Sequence, residues 1–248
     1  MLYTFSSLRG LRIRAKDGDI GSVEDLYFDD AEWRVRYLVV DTGTLLIGRE
    51  VLISPESFLK PDFDEREFAI NLSREQIRNS PDVNSTPTVS REEEKALAEH
   101  YGWPAYWLPA ALIPGTAMEP PETISEPYTP DETRGDAGTH LRSAREMIGY
   151  HIEATDSRIG RVSNFVVDDE GWIFRYMVVG IHQVLPGKKV LIAPQWIERI
   201  RWLERVVEVQ LTKDRIRHSP ALDLTVPITR EYEQELHDHY ERPGYWHR

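Results

Sequence analysis

WRVRYLVV at residues 33–40 has a counterpart 139 residues downstream, WIFRYMVV at 172–179, and this pair decides how the chain is read. At the same offset, without a gap, KDGDIGSV (16–23) falls on TDSRIGRV (155–162) and GREVLISP (48–55) on GKKVLIAP (187–194). LSREQIRNSP (72–81) falls on LTKDRIRHSP (211–220), and the tail SREEEKALAEHYGWPAYW (90–107) on TREYEQELHDHYERPGYW (229–246). Well over a third of about 100 aligned positions are identical. Self-similarity of that extent at one fixed offset marks a duplicated structural unit. The reading is a first copy at 1–107, a linker at 108–140 and a second copy at 141–248, each copy long enough to bury a core. The linker, LPAALIPGTAMEPPETISEPYTPDETRGDAGTH, is rich in Pro, Glu and Thr and has no hydrophobic period. That composition predicts an extended or disordered tether.

Within a copy, strand signals come first and helix signals last. Residues 11–15 alternate and stop at Asp17-Gly18, a hairpin dipeptide. A second strand is predicted over 20–28, with Gly21 at a bulge or close backbone approach. The third covers 33–41, the fourth 50–53 before Pro55, and a fifth about 67–72. Ser73-Arg74-Glu75-Gln76 and Ser90-Arg91-Glu92-Glu93 are capping boxes that open a short helix before Pro81 and a longer one to Tyr101. Five or six short strands with tight turns predict a mainly β fold of two small closed barrels, each followed by short helices. Trp33 and Trp172, opening the third strand of each copy, are expected to be at least partly buried.

The order D-G-x-I-G-x-V, D-D, W-x-x-R-Y-L-V-V-D, G-x-x-V-L-I-S-P, L-S-x-x-x-I-x-x-x-P resembles the PRC-barrel domain over about residues 5–82 and 144–221. That family includes the cytoplasmic domain of the photosynthetic reaction-centre H subunit and the C-terminal domain of a ribosome-maturation factor. The second copy departs from the pattern at Ser157 and at Gly180-Ile181-His182, positions assigned to turns. The resemblance carries no catalytic motif, so it transfers no functional residue.

Composition narrows the function further. The net charge of −12 divides into −7 for residues 1–107, −5 for 108–140 and zero for 141–248. A chain this acidic is a poor ligand for nucleic acid, which rewards a basic surface. Without cysteine there is no thiolate chemistry and no cysteine-bound metal. No apolar run reaches the ~18 residues of a membrane span, and the N-terminus reads as no signal peptide, so the expected location is cytoplasmic. Phosphate-loop, hydrolase and dinucleotide motifs are lacking.

His237-Asp238-His239, with His247 and His218, is the nearest approach to a metal cluster, but His237 and His239 fall on different helix faces and read as a solvated helix end. Asp17, Asp29, Asp30, Asp156, Asp168 and Asp169 read as turn residues rather than paired catalytic carboxylates. Arg36 and Arg175 read as partners of turn carboxylates rather than an anion site. The unusual feature is the aromatic tails: Tyr101, Trp103, Tyr106 and Trp107 in the first copy, Tyr240, Tyr245 and Trp246 in the second. Aromatics are enriched at interfaces, and they also fold back over open sheet surface. The sequence points to a non-enzymatic protein-interaction or assembly module, in one version stress-associated, with no metal and no cofactor. Alternatives are an accessory of photosynthetic or respiratory electron transfer, or a ribosome or RNA assembly factor. The partner is an unidentified protein, and the copies are expected to pack together through their C-terminal helices and Tyr-Trp tails, within a chain or between chains.

Overall fold

The computed structural model describes residues 1–43, 49–83, 89–108, 141–181 and 187–247. The first copy begins with β1 (Leu2–Thr4) and a single helical turn, α1 (Phe5–Leu8). Strands β2 (Arg12–Ala15), β3 (Gly18–Asp29), β4 (Arg34–Asp41), β5 (Glu50–Ile53), β6 (Phe58–Asp62) and β7 (Glu67–Ile70) follow, then α2 (Arg74–Arg78) and α3 (Arg91–Tyr101). The second copy repeats the series. It runs β8 (Leu141–Ser143), α4 (Ala144–Met147), β9 (His151–Glu153), β10 (Arg158–Asp168), β11 (Phe174–Ile181), β12 (Lys189–Ile192), β13 (Ile197–Arg201), β14 (Val206–Val209), α5 (Lys213–His218) and α6 (Arg230–Tyr240).

Two seven-stranded sheets result, with the same order: β5-β4-β3-β2-β7-β6 and β12-β11-β10-β9-β14-β13. The β2–β7 and β9–β14 pairings are parallel; the other strand pairings are antiparallel. Both expected capping boxes are formed, at Ser73 and Ser90. Gly21 sits where a Cβ would lie 1.9 Å from the Asp41 carbonyl oxygen, and Gly160 repeats this against Gly180 at 2.2 Å. Only a residue without a side chain fits that approach.

The seventh strand of each sheet comes from the other copy. β1 pairs with β10, Leu2 opposite Asp168, and β8 pairs with β3, Leu141 opposite Asp29. The cause lies in strand length. β3 and β10 are 12 and 11 residues long, but β2 and β9 cover only their first halves. The far half of each would present unpaired N–H and C=O groups, a costly state for buried backbone. The exchanged strand pairs with them. Its helical turn is then anchored on the same strand: Asn164 Oδ1 accepts the Ser6 amide at 3.1 Å, and Asp25 Oδ1 accepts the Arg145 amide at 3.0 Å. Tyr3 donates its hydroxyl to Asp169 at 3.1 Å, and Arg142 donates to Asp30 at 3.0 Å.

Between the sheets, Trp33 and Trp172 are 9% and 8% exposed. Trp33 lies against Phe165 of the other copy at 6.4 Å, and Trp172 against Phe58 and Phe68 at 4.6 and 5.6 Å. The expectation that the copies meet through their C-terminal helices and tails is therefore corrected: the described contact runs through the exchanged strands and these two indoles, while the tails pack beside their own sheets. The tails are engaged within their own copies, Tyr106 by Glu94 and Arg36, Tyr245 by Arg175 and Trp246 by His237. Residues 109–140, which hold nearly all of the linker, and His182 lie outside the described residues.

Candidate interaction surface

Each C-terminal helix lies with one acidic side chain turned inward. Glu94 of α3 is fully buried and Glu233 of α6 is 2% exposed. Glu94 accepts the hydroxyls of Tyr37 on β4, at 3.2 Å, and Tyr106 in the tail, and it pairs with Arg91 at 2.7 Å. Glu233 accepts Tyr176 at 2.9 Å and pairs with Arg230 at 3.0 Å. Burial raises the Glu94 carboxyl above the usual range, against the opposing pull of the tyrosine hydroxyls and Arg91. The same desolvation raises the Tyr37, Tyr106 and Tyr176 hydroxyls further, so they are protonated donors.

The recurring arginines complete this arrangement. Arg36 pairs with Glu32 at 2.8 Å and Asp29 at 3.7 Å, and its guanidinium lies 3.8 Å over the Tyr106 ring. Arg175 pairs with Asp168 and lies 4.1 Å over Tyr245. Arg91 and Arg230 cover Trp107 and Trp246 at 4.7 and 4.3 Å. Each tail is thus held to its own copy by a tyrosine between a buried carboxylate and a cation. The turn aspartates serve backbone: Asp17 and Asp156 accept the first amides of α2 and α5, at 2.7 and 2.8 Å. Asp29 likewise accepts the Ala31 and Glu32 amides, so these aspartates are used in holding turns.

The histidines differ from expectation. His237 is no solvated helix end but 1% exposed, within 3.0 Å of the Tyr176 hydroxyl and 4.9 Å from the Trp246 ring centroid. Burial lowers its affinity for a proton. The reason is the neighbouring helix face, Glu233-Leu236-His237-Tyr240, which is buried as a unit. His239 faces the Arg215 carbonyl at 2.8 Å, and His100 faces the equivalent Gln76 carbonyl at the same distance. Among the described residues no group of three or more His, Asp or Glu is placed to hold a metal ion.

One difference between the copies shapes the surface. In the first copy Trp103 stacks on Tyr101 at 4.1 Å and donates to Ser57 at 2.8 Å. In the second the aligned residue is Arg242, and the indole comes instead from Trp196, aligned with Ser57, packed 4.6 Å from Tyr240 and 5.2 Å from His237. Where the second copy has His237 the first has Ala98, which borders a cleft of about 300 Å³. Its walls are Arg34, Trp103, Tyr106 and Trp107 on one side and Glu170 to Trp172 of the second copy on the other. Three aligned differences, 57/196, 98/237 and 103/242, carry this signal in the sequence, but only packing shows that they compensate.

A small, mainly β unit with a long third-and-fourth-strand hairpin and two C-terminal helices is thereby defined. Residues 1–76 match the model of the PRC-barrel domain, so the first copy carries that domain. No curated protein shows significant similarity to the chain. No helix among the described residues is long and apolar enough to cross a membrane.

Proposed function

We propose that the chain is a non-enzymatic interaction or assembly module that engages a protein partner through the tail face of its first copy. The carrying observation is the cleft beside Trp103 and Trp107, walled by both copies and bordered by Ala98, where the aligned residue of the second copy is the buried His237. Partly exposed aromatics beside an arginine, at the meeting of two rigid sheets, are the composition of an interface core. The non-enzymatic part of the reading is supported by the uses found for the ionisable groups, which anchor strands, helices and tails.

A photo-crosslinking residue placed at Trp107 in the intact chain tests this in the native cell. The expected result is one discrete protein adduct that is not formed from the exposed Glu204. Equal labelling from both positions, or none from Trp107, contradicts the proposal.

A further inference from the structure

We infer that the contact between the copies is a pairing code that accepts unlike copies and rejects like ones, so that a second molecule of this chain meets the first only as first copy against second copy. Each indole at the contact carries one ring stacked on its face. For Trp33 that ring is Phe28, 5.2 Å away at 28°, from its own copy. For Trp172 it is Phe68, 5.6 Å away at 19°, from the opposite copy.

The aligned positions show the complementarity. Phe28 corresponds to Val167 and Phe68 to Val207, and all four side chains are fully buried. The ring is therefore supplied from the indole's own side in one pocket and from across the contact in the other. In a pair of first copies, each indole would meet Phe28 from its own side and Phe68 from across, two rings claiming one site. In a pair of second copies it would meet Val167 and Val207, and no ring at all. Overfilled and underfilled cores are both destabilised, and the lost stacking adds to the second case. The inclined rings do not discriminate, since each copy supplies one from across, Phe165 tilted at 41° to Trp33 and Phe58 at 76° to Trp172. The exchanged strands are neutral where their partners agree, at Asp30 and Asp169, and differ in their helical turns, where Asp25 takes the Arg145 amide and Asn164 the Ser6 amide. The part of the selection made by rings rests on positions 28/167 and 68/207.

Exchanges that keep composition constant test this in the intact chain. The pair Phe68→Val with Val207→Phe gives Trp33 two rings and Trp172 none; the pair Phe28→Val with Val167→Phe does the reverse. All four substitutions together restore one ring to each indole. In urea, each two-position exchange is expected to raise the unfolding constant by about tenfold or more, and the four-position variant to return to within about threefold of the parent, since contacting sites couple. A two-position variant that does not fold agrees with the code. A four-position variant no better than the sum of its halves, or one that does not fold, overturns it. As a second measurement, the full chain carrying a protease site between residues 109 and 140 is cleaved, denatured and refolded, and the halves are weighed by native mass spectrometry. The mixed pair is expected in at least about tenfold excess over either like pair, a difference of about 1.4 kcal/mol. Like pairs at their statistical share overturn the inference.

Discussion

The amide of Phe174 donates to the carbonyl of Trp33 at 2.8 Å, and the amide of Val35 returns the contact to the carbonyl of Trp172 at 2.6 Å. Both tryptophans hold left-handed backbone, with φ of 58° and 51°. A bulky L-residue adopts that region only where its surroundings over-determine it. Here the surroundings are the other copy's backbone on one side and its apolar core on the other. The two sheets are thus joined by a local pseudo-two-fold arrangement that repeats these backbone bonds and the left-handed turn at each indole.

Truncating either indole should be costly. Trp33→Ala or Trp172→Ala is expected to destabilise the chain by on the order of 3 kcal/mol in urea unfolding, through the cavity left between the sheets. A loss below about 1 kcal/mol for both would place the core elsewhere.

Asp25 gives the chain a pH dependence of known sign. Burial raises its carboxyl to about 6, with Ser143, the Arg145 and Leu26 amides and the Arg145 charge opposing. Its folded value thus lies above the ~3.9 of an unfolded aspartate. The folded state binds the proton more tightly, so this group's contribution to stability falls as pH rises from about 4 through 6. The second copy has Asn164 here, accepting from Ser6 and donating back to its hydroxyl at 2.6 Å. Asp25→Asn is expected to match the parent near pH 4 and exceed it at pH 8 by on the order of 2 kcal/mol. Equal urea midpoints at pH 8 would show that the carboxylate costs nothing there.

The tails predict an asymmetry at one aligned position. Trp103→Ala removes a half-buried indole and is expected to cost on the order of 2 kcal/mol. Arg242→Ala, at the matching exposed site, is expected to fall within about 0.5 kcal/mol of the parent. Thermal or urea melts of the two variants decide it; similar losses would mean the two tails are held alike.

The buried carboxylates make a similar claim about hydroxyls. Tyr37→Phe leaves Glu94 with one donor fewer in a dry site and should cost on the order of 1–2 kcal/mol. No loss on unfolding would mean that Arg91 and Tyr106 satisfy Glu94 alone.

Much of this architecture was legible in the repeat. The 139-residue offset carried the duplication, and alternation plus turn dipeptides placed β2 to β5 and β7 within a few residues. The capping boxes placed α2 and α3. What stayed hidden was nonlocal. Leu2–Thr4 and Leu141–Ser143 are three-residue strands, too short to show a period, and nothing in them indicates that they pair with the opposite copy. The edge strand β6, with Leu59, Lys60 and Pro61 at its centre, lacks the alternation that marks its neighbours. His237 reads as exposed because its flanking Asp238 and His239 are polar; its burial comes from Trp196 and Trp246, far apart in sequence. The tail aromatics were visible, but their attachment to Glu94 and Glu233 was not, since a buried glutamate on a charged helix looks like any solvated one.

Hydrogen exchange on a chain lacking residues 1–4 reports on the reciprocal exchange of N-terminal strands without disturbing the second copy's β8. The amides of residues 166–168 on β10 lie opposite the deleted strand, whereas residues 27–29 of β3 lie opposite β8. Removal of β1 is therefore predicted to deprotect peptides spanning 164–169 while those spanning 25–29 keep the parent's protection. Deprotection of 25–29 with 164–169 unchanged would show that each strand belongs to its own copy, and would contradict the exchange.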